Sequence, residues 1–444
     1  MSTRAIVLAA GKGTRMKSST AKVLHELCGR PMLWYVLRAL RAAGVDDILV
    51  VTNPELQDRI AEFGVAGIVQ EEQLGTGHAV KIALGALPSD GSGRMLIAYA
   101  DMPLVPEEMF AEVLRALDGS NALALVTARV PLPSNFGRII RRDGSVECIV
   151  EVRDANPAQL EIDEVNAGIY AFQEPALREA IARLRNDNAQ KEYYLTDTIA
   201  DLAGAGKRVT PVVAADPLHV LGINDRAELA AARKEMNERI CAQHMHGGVT
   251  IVDPDSTYLE PELRIGRDTA IYPNTTIGRL SEIGERCVIG PNSRLSNVRL
   301  GDEVTVREST MFDSSAGDRT SIGPFAHIRN DSQLGEDVRI GNFVEVKQSR
   351  LARGVKASHL SYIGDAEIGE NTNIGAGTIT CNFDGKRKNK TVIGRDVMIG
   401  SNTSLIAPIT IGDGALTGAG SVVTKDVPPG QRVAGNPAKP LPNK

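Results

Sequence analysis

The sequence predicts an α/β domain of Rossmann-like build, a linker helix, and a left-handed parallel β-helix of hexapeptide repeats. Three observations lead there. Up to residue 225, short apolar runs alternate with segments of helical periodicity, the pattern of a mostly parallel sheet covered by helices. Residues 226–246 carry one apolar stripe at helical spacing. From Ile265 an aliphatic residue recurs at every sixth position. With so short a period, each unit can bury its side chain only against the units stacked on either side.

The first domain, residues 1–225, opens on the buried strand Ile6-Val7-Leu8. Pro31 starts a helix with Leu33, Val36, Leu37 and Leu40 on one face, and Gly44 closes it. Strands are expected at 48–52, 65–70, 96–100 and 122–130, with helices at 77–87 and 107–117 between them. Ligands of such sheets bind beyond the carboxyl ends of the strands. Asp225 and Glu228 form a capping box for the linker helix, residues 226–246. Its stripe is Leu229, Ala232, Met236 and Ile240, and Gly247-Gly248 ends it.

The second domain, residues 247–444, reads as a solenoid in three registers. The first runs Ile265, Ile271, Ile277, Ile283, Ile289, Leu295; the second Ile322, Ile328, Leu334, Ile340, Val346; the third Ile393, Ile399, Leu405, Ile411. Glycine often follows the aliphatic residue, and glycine, Asn and Asp supply the corner conformations. An aromatic content of 4% suits so narrow an interior.

Bulk properties narrow the function. At 444 residues the chain exceeds one ordinary core, and 42% hydrophobic with 24% charged residues describes a globular protein. A formal net charge of -5 argues against general nucleic-acid binding. Cys28, Cys148, Cys241, Cys287 and Cys381 are scattered without C-x-x-C spacing, so neither a disulfide framework nor a zinc site is expected. The apolar run 5–10 is too short for a signal peptide, and no stretch approaches the roughly 18 apolar residues of a membrane span. The expected location is the cytoplasm.

Three segments gather chemistry at the carboxyl edge of the first sheet. Leu8-Ala9-Ala10-Gly11-Lys12-Gly13-Thr14-Arg15-Met16 is a glycine loop directly after a strand, able to bring backbone N–H groups against phosphates. Arg15 and Lys22 add positive charge. The spacing matches neither the P-loop nor the dinucleotide fingerprint, and alone it would also fit an ordinary strand–helix turn. Gln70-Glu71-Glu72-Gln73-Leu74-Gly75-Thr76-Gly77-His78 leaves a strand and enters a helix, and Tyr99-Ala100-Asp101 puts a carboxylate at a strand tip. Such an aspartate suits Mg2+, a hard cation that favours oxygen donors. His78 is assigned packing or capping. Together these segments resemble the sugar-1-phosphate nucleotidyltransferases. The resemblance implies that Leu8, Ala9, Ala10 and Gly11 contact the nucleotide, along with Arg15, Lys22, Tyr99 and Ala100. It implies further that Gln70, Gly75 and Thr76 read uracil, that Gly137, Glu151 and Asn166 hold the sugar, and that Asp101 and Asn224 bind the metal. No side-chain nucleophile is needed, because such transfer relies on placement and charge.

Where the hexapeptide repeat is interrupted comes Val355-Lys356-Ala357-Ser358-His359-Leu360-Ser361-Tyr362-Ile363-Gly364. A lone histidine can be structural, but an imidazole here can also take a proton near neutral pH, as acyl transfer to an amine requires. Arg329, Phe343 to Lys347, His359, Tyr362 and the string Asn371 to Asn382 follow in an order that resembles a bacterial family. That family is the bifunctional N-acetylglucosamine-1-phosphate uridyltransferase/glucosamine-1-phosphate acetyltransferases, and the resemblance covers essentially the whole chain. It implies that Arg329 and Lys347 bind the sugar phosphate, Tyr362 and Asn373 position the sugar, and His359 is the base. Ala376, Asn382, Phe383, Ser401 and Ala419 would line the acetyl-CoA site. Phe383 stands where many relatives carry tyrosine, and Arg432 and Lys439 are candidates for a late coenzyme-contacting arginine. The basic loop Lys386, Arg387, Lys388, Lys390 is either solvated or attracts coenzyme phosphates.

The implied function is acetylation of glucosamine 1-phosphate by acetyl-CoA, then Mg2+-dependent uridylyl transfer from UTP to N-acetylglucosamine 1-phosphate, within cell-wall and outer-membrane glycan synthesis. A homotrimer is implied. The competing expectation is a single-function nucleotidyltransferase whose solenoid only oligomerises.

Overall fold

The structure, a computed structural model, describes residues 2–89 and 91–442. The chain forms two compact units, residues 1–234 and 235–444, divided within a single helix, Arg226–His246.

The first unit is built on one sheet. Its main path runs Val209–Val213, Leu123–Arg129, Glu164–Gln173, Arg94–Tyr99, Thr3–Leu8, Asp47–Thr52 and Ala66–Val69. Neighbours are parallel except at Glu164–Gln173, which is antiparallel to both of its flanking strands. Along the first strand, successive residues feed opposite layers. Ala5 and Val7 pack with Leu33, Val36 and Leu37, while Ile6 and Leu8 pack with Val80, Ala83 and Ile97. Both faces are therefore buried, as near-continuous apolar runs require, at about 1.5–3 kcal/mol per large side chain removed from water. Leu8 pairs with both Val51 and Tyr99, so three strand ends finish side by side and the loops after them converge.

Helices lie at Met32–Ala42, Thr76–Ala86 and Glu107–Ala116, within one or two residues of the expected spans. The helix Pro54–Ile60 had not been anticipated, although Asn53 caps it by accepting from the Leu56 N–H at 2.9 Å and proline opens it. Beyond residue 130 the simple alternation stops. A hairpin of Arg138–Arg142 and Ser145–Val150 extends the sheet, and the long antiparallel strand Glu164–Gln173 follows.

At the start of Arg226–His246, Asp225 Oδ1 accepts from the Ala227 and Glu228 N–H groups at 2.8 and 2.9 Å. The reciprocal half of the expected capping box is displaced by one residue. Glu228 Oε2 accepts from the Asn224 N–H at 2.6 Å rather than from that of Asp225. Leu229, Ala232, Met236 and Ile240 are all buried.

In the second unit, strands of mostly two or three residues turn around three faces of a left-handed β-helix. One ladder stacks Ile271, Ile289, Val306, Ile322, Ile340, Ala357, Ile374 and Ile399. A second stacks Leu259, Ile277, Leu295, Met311, Ile328, Val346 and Ile363. A third stacks Ile265, Ile283, Leu300, Ala316, Leu334, Leu351, Ile368, Ile393 and Ile411. The registers seen in the sequence are thus not faces: each passes through all three faces in turn, and the breaks mark coils of altered length. Glycine is required where coils approach. A Cβ on Gly375 would lie 2.6 Å from the Ile399 carbonyl oxygen.

No helix among the described residues is long and apolar enough to cross a membrane.

Candidate active sites

A cavity of about 590 Å³ opens at the carboxyl ends of the Thr3–Leu8 and Arg94–Tyr99 strands. Leu8, Ala9, Ala10, Gly11, Arg15, Lys22, Gln70, Gly75, Thr76, Tyr99, Asp101 and Asn224 all line it. Its glycine loop is shaped by Gly13 in the left-handed region at φ 58°, where a Cβ would sit 2.6 Å from that of Lys22. The loop closes on Lys22 because the glycine has no side chain. Ala100 is fully buried and does not line the cavity; its N–H donates to the Leu8 carbonyl at 3.0 Å, tying the two strand ends together.

Lys22 Nζ donates both to Asp101 Oδ2 and, at 2.8 Å, to Asn224 Oδ1, which also accepts from Arg15 Nη2 at 2.8 Å. Asn224 reaches this point because the Ile223 N–H donates to the Asp101 carbonyl at 2.9 Å. A carboxylate oxygen and an amide oxygen therefore meet at one cation, an ammonium. Two oxygen donors so placed fit a hard divalent ion that takes its remaining ligands from water and phosphate. Among the described residues, no group of three or more His, Cys, Asp and Glu could hold a metal, so a metal site here would depend on the substrate for further ligands.

Gly137, Glu151 and Asn166 do not line this cavity. The Asn166 N–H donates to the Gly137 carbonyl at 2.8 Å, and Asn166 Nδ2 donates to Tyr170 Oη at 2.6 Å. Glu151 accepts from Thr196 Oγ1 at 3.1 Å. Burial pushes the Glu151 carboxyl above the usual range, opposed by that hydroxyl. Burial, with the charge of Glu151 beside it, raises Tyr99 as well.

In the β-helix, His359 and Asn342 occupy one corner on successive coils. His359 Nδ1 lies 2.8 Å from Asn342 Oδ1. An amide oxygen only accepts, so Nδ1 carries the proton and Nε2 is the nitrogen left with a free lone pair. The corner continues as a column. The N–H groups of Gly377, Asn402 and Gly420 donate to the carbonyls of His359, Ala376 and Ser401 at 3.4, 2.7 and 2.8 Å. This stacks His359, Ala376, Ser401 and Ala419 one above the other.

On the adjoining face, Arg329 pairs with Lys347 and Lys347 with Gly364, five residues beyond His359 on the same coil. Arg329 is gripped by Glu345 Oε1 at 2.8 and 2.5 Å, and Lys347 Nζ lies 3.4 Å from Asp365 Oδ2. Asn382 Nδ2 donates to Asp365 and, at 3.3 Å, to Tyr362 Oη. Asn373 projects from the neighbouring face beside Lys356 and Met398, with no hydrogen bond to Tyr362. Phe383 is exposed, with Lys388 Nζ 4.8 Å from its ring centre. Its loop is organised by Asp384, whose carboxyl is pushed down to about 2 by the N–H of Arg387, then by Asn389 and the N–H of Lys386. Within the basic loop, Lys390 pairs with Glu367 at 2.5 Å.

Sequence reasoning gave no role to Asn342, Glu345 and Asp365, each of which is bonded to a residue it had singled out. Asn342 precedes His359 by 17 residues and Asp365 follows Lys347 by 18, so coil length was the signal that could have located them. It also missed Gln73, whose Nε2 donates to the Ala10 carbonyl at 2.7 Å.

Comparison with known proteins agrees with this two-part architecture. The family described as MobA-like NTP transferase domain matches residues 5–201. Bacterial transferase hexapeptide (six repeats) matches 317–348 and 390–425, and the hexapeptide repeat of succinyl-transferase matches 282–307. The bifunctional protein GlmU of Acetivibrio thermocellus is 44% identical over 428 residues, spanning 96% of this chain and 93% of that protein. The same-named protein of a Geobacillus species is 46% identical over 428 residues, again covering 96% and 93%. That of Mycobacterium bovis is 45% identical over 442 residues, covering 96% and 89%.

Proposed function

The chain belongs to the family of the bifunctional protein GlmU, and from that membership we propose how its two units divide the synthesis of UDP-N-acetylglucosamine. The β-helix acetylates glucosamine 1-phosphate, and the α/β unit transfers the uridylyl group of UTP to the N-acetylglucosamine 1-phosphate so made. One observation carries the reading: each unit holds a hydrogen-bonded cluster of its own. In the first, an oxygen pair converges on a cation within a glycine-walled cleft. In the second, an imidazole of fixed tautomer sits at the foot of a column of small residues.

In the β-helix, Arg329 and Lys347 bind the sugar phosphate, Tyr362 and Asn373 orient the sugar, and Ala376, Asn382, Phe383, Ser401 and Ala419 bind acetyl-CoA. His359 Nε2 takes a proton from the amino group as its nitrogen attacks the thioester carbonyl. The carbon–sulfur bond breaks and coenzyme A leaves as thiolate. Asn342 accepts from Nδ1–H throughout, so the imidazolium formed keeps its orientation. Small residues along the corner let the coenzyme lie against the backbone.

In the α/β unit, residues 8–11 with Arg15 and Lys22 bind the triphosphate, Gln70 with Gly75 and Thr76 the uracil, and Gly137, Glu151 and Asn166 the sugar. Asp101 and Asn224 would hold Mg2+, whose charge offsets that of the triphosphate. A sugar-phosphate oxygen attacks the α-phosphorus in line and the bond to pyrophosphate breaks. Lys22, released from Asp101 and Asn224, stabilises the departing charge.

The assembly is a homotrimer in the cytoplasm, with coenzyme sites between neighbouring chains. An exposed apolar ridge, Phe325, Phe343 and Leu360, supports self-association. The test of function is to supply glucosamine 1-phosphate, acetyl-CoA, UTP and Mg2+ to purified protein while following free thiol and pyrophosphate together. Thiol release is expected without UTP, and pyrophosphate only once the acetylated sugar has formed. Pyrophosphate release without thiol release would instead support a single-function enzyme.

A further inference from the structure

Gln70 is nearly inaccessible, at 3% exposure, yet it borders the nucleotide cavity. Its amide is held in one orientation. Nε2 lies 3.1 Å from the Gly75 carbonyl oxygen and 3.1 Å from His78 Nδ1. The carbonyl can only accept, so the atom facing it is the nitrogen, and His78 Nδ1 must accept the second amide hydrogen. That places the imidazole proton on Nε2. The Gly75 carbonyl is itself fixed. Gly75 has φ 105°, a Cβ there would lie 2.6 Å from the Tyr193 carbonyl oxygen, and the Tyr193 N–H donates to the Leu74 carbonyl at 2.8 Å. With both amide hydrogens engaged, Oε1 remains without a protein partner among the described residues and is the only hydrogen-bonding atom of the side chain left for a ligand.

We propose that His78 is a positioning residue that sets base specificity, locking Gln70 so that the cavity is offered an acceptor and never a donor. The proposal rests on the uridylyl-transfer reading above. Uracil carries N3–H, which donates to such an acceptor; cytosine carries a lone pair at N3, which meets Oε1 with no proton between them. A pocket built around one hydrogen bond rejects the analogue that cannot make it, because the buried polar atom is left unpaired. Without an acceptor at His78, the Gly75 carbonyl alone among the described residues opposes rotation of the amide. The rotated form would present its NH2 group and favour the wrong base. His78 does not touch the nucleotide in this account. It lies outside the cavity lining, its ring 6.3 Å from that of Tyr193 at 33°.

The test compares kcat/KM for UTP and CTP, with N-acetylglucosamine 1-phosphate and Mg2+, in the full-length protein and two variants. His78→Phe keeps a ring against Tyr193 and removes the acceptor. His78→Asn removes the ring and supplies an amide oxygen near the place of Nδ1. Acetyl transfer by the same preparations and their melting curves report folding. His78→Phe should lose about tenfold of the UTP-over-CTP preference, chiefly through the KM for UTP, and His78→Asn should keep most of it. Loss in both variants, in neither, or in His78→Asn alone overturns the proposal. Failure of the unaltered protein to consume UTP would instead remove the uridylyl-transfer reading on which the proposal stands.

Discussion

Glu151 is a carboxylate whose burial raises its affinity for a proton, and the consequence for stability has a definite sign. The folded chain holds that proton more tightly than the unfolded chain, so the contribution is fully present below the ordinary carboxylate range. It is lost as the pH rises through the elevated folded value. Glu151→Gln keeps an acceptor for Thr196 Oγ1 and removes the charge. Its melting temperature should exceed that of the parent protein at pH 8, and the difference should shrink toward zero by pH 4; a constant difference would assign the effect to packing. At this scale the legible residues were those inside contiguous motifs: Lys22, Asp101 and His359 sit in recognisable strings. Asn342, Asp365 and His78 were not legible as functional. Each is bonded to a partner 17, 18 or 8 positions away, a separation set by coil length or by the strand–helix turn, not by any local pattern.

The elements divide in the same way. Hexapeptide periodicity exposed the β-helix because every rung repeats one burial rule, and parallel strands with helices between them were visible up to residue 130. The antiparallel strand Glu164–Gln173 was not, because a strand buried on both faces reads alike in either direction. Corner conformations were partly legible. Asn274, Asn292, Asn371 and Asn402 take left-handed φ of 57, 52, 59 and 58°, as asparagine tolerates. Phe325, Phe343 and Leu360 adopt the same region at 58, 57 and 46°, which is uncommon for bulky side chains and disfavoured by about 1–2 kcal/mol each. Their side chains are 55, 57 and 63% exposed, and the two phenylalanine rings stack at 5.4 Å. Strain held at side chains that stay largely exposed fits a surface used in assembly. Phe343→Asn should leave the β-helix at least as stable to heat while shifting the protein toward monomers at low concentration, as read by sedimentation velocity. Unchanged assembly would contradict that role.

At the scale of the whole molecule, two units with separate cores carry two separate chemistries, and a lesion in one should leave the other intact. The chain order of the sites was legible from composition, which changes near residue 250 from alternating elements to a six-residue repeat. The separateness of the two hydrogen-bonded clusters was not, since it follows from where each cluster finds its partners. Lys22, Asp101 and Asn224 bond among themselves, and so do His359 and Asn342.

The most direct measurement follows both activities in Asp101→Ala and in His359→Ala, thiol release with glucosamine 1-phosphate and acetyl-CoA, and pyrophosphate release with N-acetylglucosamine 1-phosphate, UTP and Mg2+. Asp101→Ala should release thiol at the parent rate while losing pyrophosphate release by on the order of 100-fold or more. His359→Ala should show the reverse, with pyrophosphate release intact and thiol release down by a factor on the order of 100 or more. Loss of both activities in either variant, or of neither, would contradict two sites that work independently of each other.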